Sequence, residues 1–279
     1  METVGVNVTH DASFCRCVNG EVNLFIEEER LSRKKHDTMP VKTVMEYQES
    51  NFAGITGLEY HDYSLKDTCN FFDVIFKKKI PNHDYRTYDQ HHFLHAMCGF
   101  YNSEFEEADV VVVDGLGNFV DEENHECATR WHVKKPTQVK LLERQVSSKF
   151  GIKTNRHDYW SMGIGMAYAS ISDYLGFGQT ESGKVMGLAP YGKEDPNIKP
   201  FVIDGRVNSK LFYRTRYGAN FIPYDYLPEK VDVGDQRFMN LAYRLQKDFE
   251  KWMTDFILKC ESKNIVLTGG CALNCVANY

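Results

Sequence analysis

The sequence predicts an α/β protein built from two like subdomains facing across a cleft. Two observations carry this. A strand, an Asp-containing turn and a second strand occur first in "VGVNVTHDASFCRCV" (Val4 to Val18) and again from "VVVVDGLGN" (Val110 to Asn118) to Trp131 and Val133. An internal repeat of that kind marks paired subdomains. A long amphipathic segment also runs straight into a strand-like Ile265–Leu267, as in a helix-to-buried-strand unit. The first lobe is expected at 1–109 and the second at 110–279.

Each element has a local reason. Val4, Val6 and Val8 alternate, the period of a half-buried strand, and "THDAS" turns the chain. Phe14–Val18 then meets Asn19-Gly20, a strong two-residue hairpin signal, and Val22–Ile26 returns. After "EEER" comes the basic stretch "RLSRKKH" (Arg30 to His36), and Thr38 followed by Pro40 reads as a helix start. "HHFLHAMCGFY" (His91 to Tyr101) is apolar at helical spacing, and Ser161–Leu175 is a further helix. Residues 196–236 are aromatic and irregular, with hairpin-like pieces. Phe238, Leu241, Leu245, Phe249, Trp252, Phe256 and Cys260 recur at steps of three or four, which gives one helix a wide apolar face. "LTGGCALN" closes the set with a strand end, a Gly-Gly turn and small residues that could open a helix.

Bulk properties exclude several classes. A net charge of −6 and a pI near 5.9 do not favour binding along a nucleic-acid backbone. No apolar run approaches the ~20 residues of a membrane helix, and "METVGVNVTH" has neither a basic start nor an apolar run of the secretory type. The expected location is the cytoplasm. None of the eight cysteines forms a C-x-x-C pair, so small buried thiols in a reducing compartment are expected.

Four stretches could carry chemistry. His91 and His95 stand one helical turn apart, so both imidazoles can face one ion, and His92 offers a further pairing with His95. The glutamate of a zinc-protease His-Glu-x-x-His motif is absent, and two histidines satisfied by core hydrogen bonds would look the same. Asp114, at the end of a buried strand in "DGLG" beside Gly115, would complete a His-His-carboxylate set suited to iron(II) or zinc, or be only a turn residue. His10 and Asp11 in "THDAS" suit either a phosphate-facing turn or an Asx-turn. "ESGKVMGLAPYG" (Glu181 to Gly192) and the Gly269-Gly270 turn are glycine-rich segments that could hold a phosphate, although the first fits neither common phosphate fingerprint.

Taken in order, "GVNVTHDAS", "EEERLSRKKH", "HHFLHA", "DGLG", "SMGIGMAYASISDYLGFG", "GKVMGLAPYG" and "TGGCALN" resemble the O-carbamoyltransferase family of nodulation-factor and antibiotic-tailoring enzymes. The resemblance implies an actin/Hsp70/hexokinase-like α/β fold of two repeated lobes with mixed sheets, the second lobe incomplete here and the adenylate-forming C-terminal domain absent. It further implies that carbamoyl-adenylate, made from carbamoyl phosphate and ATP, delivers its carbamoyl group to a hydroxyl-bearing small-molecule acceptor. Carried over, His91, His95 and Asp114 are metal ligands, for iron(II) before zinc. Asp11, Gly115, Lys184, Gly187, Gly269, Gly270 and Asn274 lie around the nucleotide, His10 is the base for the acceptor hydroxyl, and Lys35 stabilises developing charge.

Family members continue past "TGGCALN", so a second polypeptide carrying the remainder is one expectation, and a metal- or nucleotide-binding remnant without activity is another. A tRNA threonylcarbamoyl transferase is a third, weakened by the acidic balance and by the "ERLSRKKH" and "GLAPYG" stretches. Missing strands would leave Ile265–Leu267 and the long helix's apolar face under-covered. The aromatic 196–236 segment is expected to contribute to an acceptor pocket.

Overall fold

Four consecutive valines set the architecture of the larger half. Strand β6 (Glu107–Val113) is buried from Ala108 to Val113, and strand geometry sends alternate side chains to opposite faces. Val110 and Val112 pack with Ala96 and Phe100 of a helix at His91–Tyr101, while Val111 and Val113 enter a larger core on the other side. A strand covered on both faces reads as a continuous apolar run rather than an alternating one.

The computed structural model describes residues 2–7, 11–47, 54–58, 83–84, 90–118, 120–121, 124–148, 161–215 and 218–279. The chain forms two compact units, Met1–His91 and His92–Tyr279. In the first, β1 (Glu2–Asn7) pairs antiparallel with β2 (Ser13–Val18), and β2 with β3 (Glu21–Glu27). On its other side β1 pairs in parallel with β4 (Gly54–Leu58), and β4 with β5 (His83–Asp84). The β2–β3 turn is Asn19-Gly20, both residues at positive φ (53° and 91°), the conformation that matches the twist of a hairpin.

The second unit repeats this plan. β6 pairs antiparallel with β7 (Asn124–Lys134), β7 antiparallel with β8 (Gln138–Ser148), and β13 (Ile265–Thr268) lies parallel to β6 on its free side. Strand order is therefore third-second-first-fourth in both units, with the same directions. This repetition is the actin/Hsp70/hexokinase-like α/β fold.

Helix ends in the first unit are tied together. The first N–H groups of a helix have no partner within it. In α2 (Val41–Tyr47) the Glu28 carboxylate, buried at the start of α1 (Glu28–Ser32), accepts from the Lys42 and Thr43 backbone N–H groups at 2.9 and 2.8 Å, and from the Thr43 hydroxyl. Pro40, preceding the helix, has no side-chain oxygen to do this.

In the second unit α3 (His91–Tyr101) and α4 (Ile164–Tyr174) lie where the periodicity places helices, followed by α5 (Ser182–Leu188). Two hairpins, β9–β10 (Val202–Ile203, Arg206–Val207) and β11–β12 (Phe212–Thr215, Gly218–Phe221), precede α6 (Gln236–Ile257). Asp235 caps α6 by accepting from Arg237 N at 2.9 Å.

One expectation needs correction. The apolar face of α6 is covered: Phe238, Leu241, Leu245, Phe249 and Phe256 are buried in the core formed with α4 and the two hairpins. The aromatic segment supplies that cover. Phe201, Phe212 and Phe221 are buried against one another, with ring centroids 5.9–6.2 Å apart, and fill the core, while Tyr213 of the same segment is exposed. β13 does stand at the sheet edge. Among the described residues no helix is long and apolar enough to cross a membrane.

Two close contacts yield predictions. A methyl group on Gly192 would sit 2.1 Å from Met239 O and 2.6 Å from Tyr243 Cβ, inside the backbone of α6. Gly192→Ala should therefore lower stability by about 2 kcal/mol or more, read as a shift in the urea midpoint. Asp109, buried on β6, accepts from Glu261 N (2.8 Å) and Ser262 N (3.1 Å) and lies 2.9 Å from His132 Nδ1. Burial works against its charge, but His132 and the two backbone N–H groups outweigh it and hold the carboxyl below the ordinary value of 3.8. A lowered carboxylate stabilises the fold above its unfolded pKa, and that contribution is lost as pH falls through the folded value. Acid should thus weaken wild type more than Asp109→Asn between pH 6 and pH 3 in urea titrations; equal losses would remove Asp109 from the acid response.

Candidate functional site

The site is built from the start of α3 and the end of β6. A spacing of four on a helix brings His91 and His95 to one face. Asp114 follows the buried valine run directly, and its N–H donates to Cys127 O at 3.1 Å, so it leaves the sheet at a fixed point. One ligand atom from each of His91, His95 and Asp114 lies within 4.8 Å of the others, and all three residues are half-buried. His95 Nε2 is 3.3 Å from Asp114 Oδ2, while Asp114 Oδ1 accepts from Gly115 N at 2.7 Å.

Glycines make room around Asp114. A Cβ on Gly165, in the first turn of α4, would stand 2.6 Å from Asp114 O and 2.8 Å from Cys271 Sγ. One on Gly270 would stand 2.9 Å from Asp114 Oδ1. Gly269 has φ +88°, and its Cβ would lie 2.5 Å from Val113 O. The α4 start and the turn after β13 thus close on Asp114 at distances only glycine permits. Around them the thiols are neutral. Burial pushes Cys127 up to about 12; burial, then the charge of Asp114, holds Cys271 well above the usual thiol value.

The other sequence-expected residues are placed as follows. Gly115, Gly269 and Gly270 gather at Asp114. Asn274 is buried and exchanges hydrogen bonds with Gln246 of α6, donating at 2.9 Å and accepting at 3.1 Å, while Tyr168 donates to Gln246 at 2.7 Å. Lys184 is exposed on α5, 3.3 Å from Glu181, and a Cβ on Gly187 in the same helix would meet open space. In the first unit Asp11 lies 2.7 Å from His36, and Lys35 is exposed in the neighbouring turn. His10 lies outside the described residues.

His92 does not join His95. One residue on from His91, it is rotated about 100° around the helix and is fully buried, with Nδ1 3.0 Å from Thr129 Oγ1. Gly117 makes this possible, since a Cβ there would sit 2.6 Å from the ring. Gly165 and Cys271 are the site residues that sequence reading missed. The signal was the Gly-x-Gly of "SMGIGMAY", read only as the opening of a helix.

The donor set of two imidazoles and one carboxylate suits a divalent metal. Comparison with known proteins gives the family. The family described as carbamoyltransferase N-terminus matches residues 55–279. Nodulation protein NolNO of Sinorhizobium fredii is 25% identical over 96% of this chain and 42% of its own length. Nodulation protein NolO of Bradyrhizobium diazoefficiens is 26% identical over 67% of this chain and 32% of its own length. The chain thus spans less than half of each of these two curated relatives. Among solved structures, the Ppx/GppA family member of Aquifex aeolicus aligns over 100% of this chain and 97% of its own, with 10% identity and a TM-score of 0.36. The 55–279 match takes in both the histidine helix and the Asp114 turn with its glycines, and by it the chain belongs to the carbamoyltransferase family, of which it carries the N-terminal region.

Proposed function

We propose that this chain is the transfer part of an O-carbamoyltransferase, passing a carbamoyl group from carbamoyl-adenylate to the hydroxyl of a small-molecule acceptor. The observation that supports this most is the His91–His95–Asp114 group, with glycine backbone packed closely against Asp114, in a chain of that family. These three residues would hold a divalent metal, with iron(II) preferred over zinc, and two nitrogens with one oxygen fit either ion. When bound, the ion supplies Lewis-acid polarisation of a carbonyl oxygen.

The chain's own residues do the rest. The acceptor oxygen bonds to the carbamoyl carbon while AMP leaves with the electron pair of the broken bond. The hydroxyl proton passes to His10, and the ammonium of Lys35 offsets the charge developing in the transition state. Gly115, Gly269 and Gly270 admit the nucleotide's phosphate to backbone N–H groups, as glycine turns do elsewhere. Asn274 holds the Gly269–Leu273 turn in place through Gln246. Asp11, Lys184 and Gly187 belong to the nucleotide surroundings. ATP and carbamoyl phosphate form the adenylate in a separate catalytic part, on a second polypeptide or further along a longer one.

Two experiments test this. Protein reconstituted with iron(II) without oxygen, or with zinc, should retain close to one ion per chain after desalting, whereas the His91→Ala, Asp114→Ala double variant retains almost none. Unchanged metal content in that variant would remove the ligand assignment. In an assay joining this chain to a carbamoyltransferase C-terminal part, label from radioactive carbamoyl phosphate should reach a hydroxyl acceptor in an ATP-dependent way. His10→Ala and Lys35→Ala should each slow that transfer at least ~100-fold, the usual weight of a proton-transfer or charge-stabilising group; rates within twofold of wild type would sink both roles.

A further inference from the structure

Five non-glycine residues with positive φ occur among the described residues: Asp11, Asn19, Arg33, His36 and Asp204. Three have local explanations. Asn19 and Asp204 precede glycines at hairpin turns, and Arg33 ends α1. Asp11 (φ 62°) and His36 (φ 55°) have none of this kind, yet they meet, with His36 Nδ1 2.7 Å from Asp11 Oδ1. Left-handed backbone costs about 1–2 kcal/mol in a residue with a Cβ and persists where its surroundings over-determine it.

The surroundings here are a set of ties between two turns. Asn7 donates its amide to Asp11 O at 3.1 Å, Ala12 N donates to Asp37 O at 2.9 Å, and His36 N donates to Glu29 Oε2 at 3.3 Å. Glu28 N in turn donates to Ala12 O at 2.7 Å. Of the central pair, Asp11 is the more open, its side chain 44% exposed, whereas Nε2 of His36 is buried. The His36 side chain is 30% exposed with its Nε2 edge turned inward, and Lys35 stands exposed on the same turn.

We propose that His36 is a positioning residue: it locks the Arg33–Asp37 turn to the turn after β1, so that Asp11 and Lys35 are presented together to the nucleotide. This rests on the carbamoyl-adenylate reading for the ligand, while the lock itself rests on the geometry above. The ligand class is a nucleotide whose hydroxyl groups or bound cation meet Asp11 and whose phosphate meets Lys35.

Three variants of the full chain separate the hydrogen bond from the backbone. His36→Gly accepts positive φ but loses the tie; His36→Asn accepts positive φ and keeps a donor for Asp11; His36→Ala loses both. Affinity for AMP, the nucleotide portion of the adenylate, is measured by calorimetry, and exchange of the Ala12 amide by hydrogen-exchange mass spectrometry. The expected result is binding about tenfold weaker in His36→Gly, the weight of one charge-assisted hydrogen bond, with faster Ala12 exchange, and both restored in His36→Asn. A His36→Gly variant equal to wild type in both readouts would overturn the proposal, as would one whose exchange rises while its affinity holds. If wild type binds no AMP, the nucleotide reading of this unit fails and the positioning role falls with it, whereas faster exchange in His36→Gly alone would still establish the lock. Asp11→Asn combined with His36→Gly should weaken binding no further than either alone; additive losses would mean that His36 does not act through Asp11.

Discussion

The second unit depends on taking one strand wholly out of water. β6 is buried on both faces, so its backbone can be satisfied only by neighbouring strands, and β7 and β13 provide those bonds on either side. A strand held this way resists slipping, because a shift along its neighbours would draw the carboxylate of Asp114 into the apolar core. That rigidity passes to Asp114, the first residue beyond the buried run. A carboxylate at the end of such a strand is placed by the whole core rather than by a loop. The helix that carries His91 and His95 is fixed by the same burial, since Ala96 and Phe100 pack on Val110 and Val112.

Room beside that carboxylate comes from missing atoms. Gly165, Gly269 and Gly270 each approach backbone or side-chain atoms at distances that a Cβ would forbid. Two separate elements, the start of α4 and the turn after β13, can therefore converge on Asp114. Adding a methyl group at any of the three would push an element outward rather than merely fill space.

Much of this was legible in the sequence because it follows from periodicity. The His91–Tyr101 helix, the Asn19-Gly20 hairpin, the valine strand and the long helix each carry a strong local pattern, and the structure places them there. The repeat of strand order was visible only as similar strings, yet it proved to be a repeat of topology. What was not legible depends on contacts between distant residues. Nothing local tells whether His92 turns in or out; Thr129 and Gly117 decide that. The irregular aromatic segment did not reveal which of its rings would be buried; its hairpins send Phe201, Phe212 and Phe221 into the core. The Glu28 cap on α2 is another such case, joining residues 14 and 15 positions apart.

The parallel pairing of β13 with β6 has a consequence for how the protein comes into being. Glu261 and Asp109, hydrogen-bonded at the mouth of that pairing, are 152 residues apart in the chain. Closing so long a loop is entropically slow, and non-local parallel pairing is among the later events in folding. On the ribosome, His91, His95 and Asp114 emerge well before the Gly269-Gly270 turn that closes on Asp114. A nascent chain would therefore expose its three donors to the cell's metal pool while the glycine cradle is still unmade. If the three residues hold an ion as proposed, the ion taken up would reflect the metals available during synthesis as much as the finished site's own preference.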